Sequence, residues 1–211
     1  STGSVLLNWS PVTDAASYLI ERTAVGTTMT LSWTVSAADA LGGGKAILIG
    51  RDWGAPIVWA AALADLERFT AVAGMSIPHM GHGVAPIIDV SRKLFTDNGH
   101  FFYMVYFQDE GVAEAELEAN VRDTIRRTYY AWSGDAPPGG WPVGKKHGEP
   151  FLQGMVDPGQ FPTWMSDDEI DYLVKEFEGS GFRGPLNRYR NFHRDFAAAS
   201  RHAGKKITQP A

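Results

Sequence analysis

Three observations predict an α/β fold. A strand, an Ala-rich helix and a second strand follow one another within about 30 residues, the signature of a parallel βαβ unit. A long stretch of helical periodicity comes after them. A short β-like segment comes before. Together they describe a partial parallel sheet followed by a helical region, with a short antiparallel β segment at the N-terminus.

Each element has its own local reason. SVLLNW, SYLIER and TTMTLSWTV alternate and carry β-branched residues, and SPVTDAA and TAVG punctuate them, so three antiparallel strands are expected over residues 5–35. KAILIG, from Lys45 to Gly50, is a short apolar run of buried-strand type. APIVWAAALADLERF then reads as a helix, and TAVAGMSIP as a second buried strand stopped by proline. Further on, Leu117, Val121, Ile125 and Tyr129 recur every fourth residue and predict one helix from about Val112 to Trp132. Residues 133–164 are rich in Gly and Pro and lack sustained periodicity, which predicts a loop that covers something else. Ser166 and Glu169 form a capping box ahead of Ile170, Leu173, Val174 and Phe177, and GSGF ends that helix. A last helix is expected from about Leu186 to Ala203, and KKITQPA reads as the start of a strand. The expected domains are 1–35, β-rich; 36–91, sheet core; 92–199, helical; and 200–211, a return to the sheet.

Composition narrows the function. The 211 residues are 44% apolar and 20% charged, which suits a folded soluble chain, and the net charge of −5 without a long basic run argues against nucleic acid as a partner. No apolar run approaches the roughly 20 residues that cross a bilayer. Zero cysteines exclude disulfides and thiolate metal sites, so a cytoplasmic location is expected. His79 and His82 suggest a metal pair, but no third ligand is spaced to join them. No metal and no cofactor are expected.

Gly50-Arg51-Asp52-Trp53-Gly54 places an aspartate at the centre of a sharp strand-to-helix turn, with a glycine two places to either side. Such a turn crowds its neighbours and pushes the central side chain out above the strand end, where the helix N-terminus favours an anion. The same spacing suits an aspartate that merely caps the helix. Spacing alone leaves both open.

The string DWGAPIVWAAALADLERFTAVAGMSIP resembles the epoxide hydrolase branch of the α/β-hydrolase family. FFYMVYFQDEGVAEAELEANV and GFRGPLNRYRN are similar to its two lid segments, in the expected order. The resemblance covers about Ala37 to Ala211. It implies a partial α/β-hydrolase core with a helical lid, a small apolar epoxide as substrate, Asp52 as the nucleophile, and Tyr103 and Tyr189 as proton donors to the epoxide oxygen. It also implies that Trp53 packs beside the substrate and lends its backbone N–H to an oxyanion hole. Phe101, Trp132, Met155, Phe161 and Trp164 are apolar candidates for a pocket lining.

Several positions depart from the family pattern. Arg51 stands where His is usual, Met104 where Gln is usual and Arg188 where Trp is usual, which puts substrate preference in doubt. No His-Gly-x-Pro loop precedes Asp52; HGEP at His147 to Pro150 lies in the lid loop. The acid and histidine that activate the hydrolytic water belong beyond the lid, and none of the six histidines matches. The expectation is therefore a truncated copy that does not turn over. VLLNWSPVTDAASYLIER resembles part of a fibronectin type III domain. The alternatives are a haloalkane dehalogenase, which also uses an aspartate nucleophile, and a non-catalytic binding or adhesion fragment.

Overall fold

The computed structural model describes residues 44–211 apart from Pro142. The antiparallel strands and the fibronectin-like stretch expected over 1–35 lie outside the described residues. The described chain divides into two compact units, 44–79 with 205–211, and 80–204.

The first unit is a βαβ hairpin. Strand β1 (Ala46–Arg51) pairs in parallel with β2 (Phe69–Met75), with Leu48 opposite Val72 and Gly50 opposite Gly74, and helix α1 (Gly54–Ala64) connects them. The small residues of α1 let the backbones approach: Ala55, Val58, Ala61 and Ala62 are fully buried. Val58, Ala62 and Val72 form a small core with Leu48, Trp59 and Ile207 packed on it. Trp59 crosses so close to β2 that a Cβ on Gly74 would meet its ring at 2.2 Å, and its indole N–H donates to Ile77 O at 3.0 Å.

Two expectations need correction here. β1 is buried on one face only: Ile47 and Ile49 are 59% and 60% exposed, because α1 covers the Leu48 side and period-2 alternation turns these two away from it. KKITQPA forms no strand. It meets β2 through one backbone bond, Val72 N to Pro210 O at 3.0 Å, and Gln209 Nε2 donates to Ala62 O at 2.9 Å.

The second unit is helical: α2 (Ile87–Leu94), a single turn α3 (Tyr103–Tyr106), α4 (Val112–Ala119), α5 (Val121–Ala131), α6 (Asp167–Ser180), α7 (Arg183–Arg190) and α8 (Phe192–Ala199). The helix expected over 112–132 is two. Asn120 adopts an extended backbone, and its side chain accepts from Asp123 N at 3.0 Å, capping α5. Leu117, Val121 and Ile125 still line the core, whereas Tyr129 is 39% exposed, because a step of four residues drifts about 40° around a helix of 3.6 residues per turn. The helix expected over 186–203 is likewise two, α7 and α8, which meet at Asn191, whose buried amide donates to Asn187 O at 3.0 Å. The Ser166–Glu169 capping box and the stop after Ser180 are as expected.

The Gly/Pro-rich loop seals this core. Phe151 and Met155 are buried in it beside Phe107, Leu117, Ile125, Ile170 and Leu186. Polar ties pin the loop: Glu116 accepts from the backbone N–H of Phe151 and Leu152 at 2.9 and 2.8 Å, and Arg126 makes two bonds to Asp157 at 2.9 and 2.7 Å. Arg126 also holds the Asp157 carboxyl below its ordinary range.

Candidate active site

The turn at Asp52 is made possible by the missing side chain at Gly50. β1 ends at Arg51 and α1 starts at Gly54, so the chain reverses over Asp52 and Trp53. A Cβ on Gly50 would lie 2.3 Å from the carbonyl oxygen of Gly54, a distance no side chain survives. Asp52 takes a φ of 51°, in the left-handed region that costs a residue with a side chain about 1 kcal/mol. Backbone bonds hold it there: Asp52 N donates to Met75 O at 3.2 Å, and Ala55 N to Asp52 O at 2.9 Å. The carboxylate is exposed, and its Oδ1 accepts from the Trp53 N–H at 2.5 Å. Trp53, not Asp52, is the N-cap residue of α1, and no side chain caps that helix.

In the helical unit, Tyr103 opens α3 and Tyr189 lies near the end of α7. Their rings meet edge to face, with centroids 5.8 Å apart and planes at 80°. Both rest on the same core, and Phe107 touches both, at 5.7 Å from Tyr103 and 5.0 Å from Tyr189. Trp141 meets Tyr103 from the loop at 6.1 Å. The two phenols that the sequence singled out are thus neighbours on one apolar floor.

Several polar side chains fix this floor, and apart from Arg188 sequence reasoning passed over them. Arg190, the residue after Tyr189, grips Glu114 at 2.5 and 2.9 Å and also donates to Phe107 O at 2.8 Å. That guanidinium holds the Glu114 carboxyl down to about 2. Gln108 donates to Met104 O at 2.7 Å and to Tyr189 O at 3.0 Å. Lys145 is buried, donates to Phe151 O at 2.7 Å and sits 4.0 Å over the Phe101 ring; burial pushes its ammonium pKa down. Tyr106 donates to Glu116 at 2.6 Å, and burial, reinforced by that carboxylate, raises its phenol pKa. Arg188, at the position where the family pattern has Trp, pairs with Asp195 at 2.6 Å. Burial raises the Asp195 carboxyl against that pull. No sequence period marks these residues, since each acts through one long reach.

Three of the candidate lining residues share one core, since Phe101 and Phe161 pack on the cluster that holds Met155. Met155 is buried in the core, Phe101 lies under Lys145, and Phe161 packs against Arg126 and Trp164. Trp132 and Trp164 are 58% and 45% exposed. His79 meets Trp59 at its ring edge, and a ring nitrogen of His82 lies 3.1 Å from Phe196 O. Among the described residues no three His, Asp or Glu side chains gather as a metal site, and no helix is long and apolar enough to cross a membrane.

The parallel strands, the tight turn between β1 and α1 and the helical unit define a partial α/β-hydrolase fold. No family model matches the chain. Its homologues and structural neighbours are epoxide hydrolases. Epoxide hydrolase A of Mycobacterium tuberculosis is 37% identical over 181 residues, which are 84% of this chain and 55% of that protein. Bifunctional epoxide hydrolase 2 of Sus scrofa is 36% identical over 186 residues, 84% of this chain and 31% of that protein. The crystal structure of epoxide hydrolase A from Mycobacterium thermoresistibile superposes with a TM-score of 0.76 at 32% identity, covering 90% of this chain and 62% of that one. An epoxide hydrolase from an endophytic Streptomyces gives the same TM-score at 33% identity, over 85% and 54%. The chain thus spans about half of the bacterial relative and about a third of the mammalian one.

Proposed function

We propose that this chain carries the nucleophile and the proton donors that open an epoxide. Asp52 attacks a ring carbon, the carbon–oxygen bond breaks, and the departing oxygen takes a proton from the pair Tyr103 and Tyr189. The products are an aspartyl ester and a neighbouring alcohol. Two phenols suit this step, because each donates toward an oxygen whose charge grows as the ring opens. Trp53 serves at the turn: its N–H, which donates to Asp52 Oδ1 in the resting chain, binds the ester oxygen once the ester forms.

The observation that carries this reading is the backbone of Asp52. A φ of 51° at a residue with a side chain is strain held in place by its backbone bonds to Met75 and Ala55, and the residue is exposed. The epoxide hydrolases at 36% and 37% identity supply the substrate class.

Incubating the chain with styrene oxide and weighing it intact tests this. The expected result is one added epoxide mass, mapped to Asp52 by peptide digestion and absent from Asp52→Asn. An adduct that persists in Asp52→Asn, or no adduct in the wild-type chain, sinks the proposal. Adduct formation with a chloroalkane but not with the epoxide transfers it to dehalogenase chemistry.

A further inference from the structure

The two phenols rest on one core but belong to separate elements of the chain. Tyr103 belongs to a helix of four residues, too short to hold its own shape, since a single turn fixes more dihedrals than its bonds repay. Tyr189 is far along the chain. Their edge-to-face contact alone contributes about 1 kcal/mol.

One side chain spans the gap. The amide of Gln108 donates both hydrogens from one nitrogen, to Met104 O at 2.7 Å and to Tyr189 O at 3.0 Å. Its first acceptor belongs to the residue after Tyr103, and its second is the backbone of Tyr189 itself. Both acceptors are carbonyls, so only the amide nitrogen can face them; the flipped orientation sets oxygen against oxygen. The tie is reciprocated around it. Arg190 donates from α7 to Phe107 O at 2.8 Å and to Asp109 O at 3.3 Å, the residues on either side of Gln108.

We infer that Gln108 is a positioning residue that sets the distance and angle between the Tyr103 and Tyr189 phenols. The inference rests on the reading of those phenols as proton donors. It predicts that Gln108 acts on the reaction through the geometry of the rings. Two substitutions of similar length separate donation from packing. Gln108→Met keeps the bulk and loses both donors. Gln108→Glu keeps the shape and places a carboxylate against two carbonyl oxygens.

The test uses the full chain with isotope-labelled tyrosine. The nuclear Overhauser effect between the Tyr103 and Tyr189 rings is measured in wild type and both variants, along with the rate of styrene oxide adduct formation at Asp52. The expected result is a ring-to-ring effect at least threefold weaker and adduct formation about tenfold slower in both variants, with the amide spectrum of α6 unchanged. An unchanged ring-to-ring effect in a folded variant overturns the inference, and so does a weakened effect with an unchanged adduct rate. If the wild-type chain forms no adduct, the epoxide reading fails, and the ring-to-ring effect still decides whether Gln108 sets the geometry.

Discussion

A Cβ on Gly50 would stand 2.3 Å from the carbonyl oxygen of Gly54, so strand end and helix start touch backbone to backbone across Asp52. This contact is what permits the reversal. Gly50→Ala is therefore expected to destabilise the chain by about 3 kcal/mol, because backbone atoms cannot move aside as a flexible side chain can. Urea unfolding of the two proteins measures it; equal midpoints would show that the turn can open without cost.

The strain at Asp52 has its own signature. With φ at 51°, glycine fits this position better than alanine. Asp52→Gly is expected to be more stable than Asp52→Ala by about 1 kcal/mol, and neither should form an adduct. Denaturation of the paired variants checks the first expectation, and intact mass after epoxide treatment the second.

Removing either phenol should slow ester formation and leave the fold in place. Tyr103→Phe and Tyr189→Phe are each expected to reduce the adduct rate about 100-fold, because the remaining donor must carry the developing charge alone. The rate measured at a fixed styrene oxide concentration decides this. A rate indifferent to both substitutions would return the two rings to simple packing.

Glu114 supplies an acid-dependent term. Arg190 lowers its carboxyl from 4.5 to about 2, and the ion-paired side chains are 10% and 11% exposed. A carboxylate with a depressed folded pKa stabilises fully above its unfolded value and loses that contribution as pH falls through its folded value. The window is thus from 4.5 down to about 2, and the loss is on the order of 3 kcal/mol. Glu114→Gln should be less stable at neutral pH and should show a shallower decline across this window, read from urea midpoints at successive pH values.

The caps are the simplest case. Asn120 accepts from Asp123 N at 3.0 Å, and Ser166 accepts from Glu169 N at 3.3 Å. Asn120→Ala and Ser166→Ala are each expected to lose about 1 kcal/mol by thermal or urea unfolding. Because the two caps serve different helices, the losses should add in the double variant.

The sequence by itself determined the features whose cause is local. The turn at Asp52 was legible because its two glycines answer a clash between residues four apart. The α6 start was legible because Ser166 and Glu169 satisfy each other's backbone within one turn. The break at Asn120 had a local signal as well, an asparagine three residues before Asp123, but the fourfold apolar stripe running through it read as one helix. What only the tertiary structure decided are the contacts between distant segments. The Tyr103 and Tyr189 rings, the reach of Gln108 to the Tyr189 backbone, the Arg190 grip on Glu114 and the burial of Lys145 over Phe101 leave no period or spacing in the chain. Each depends on where packed helices bring side chains together, and periodicity reports only which face of a helix is buried, not what it is buried against.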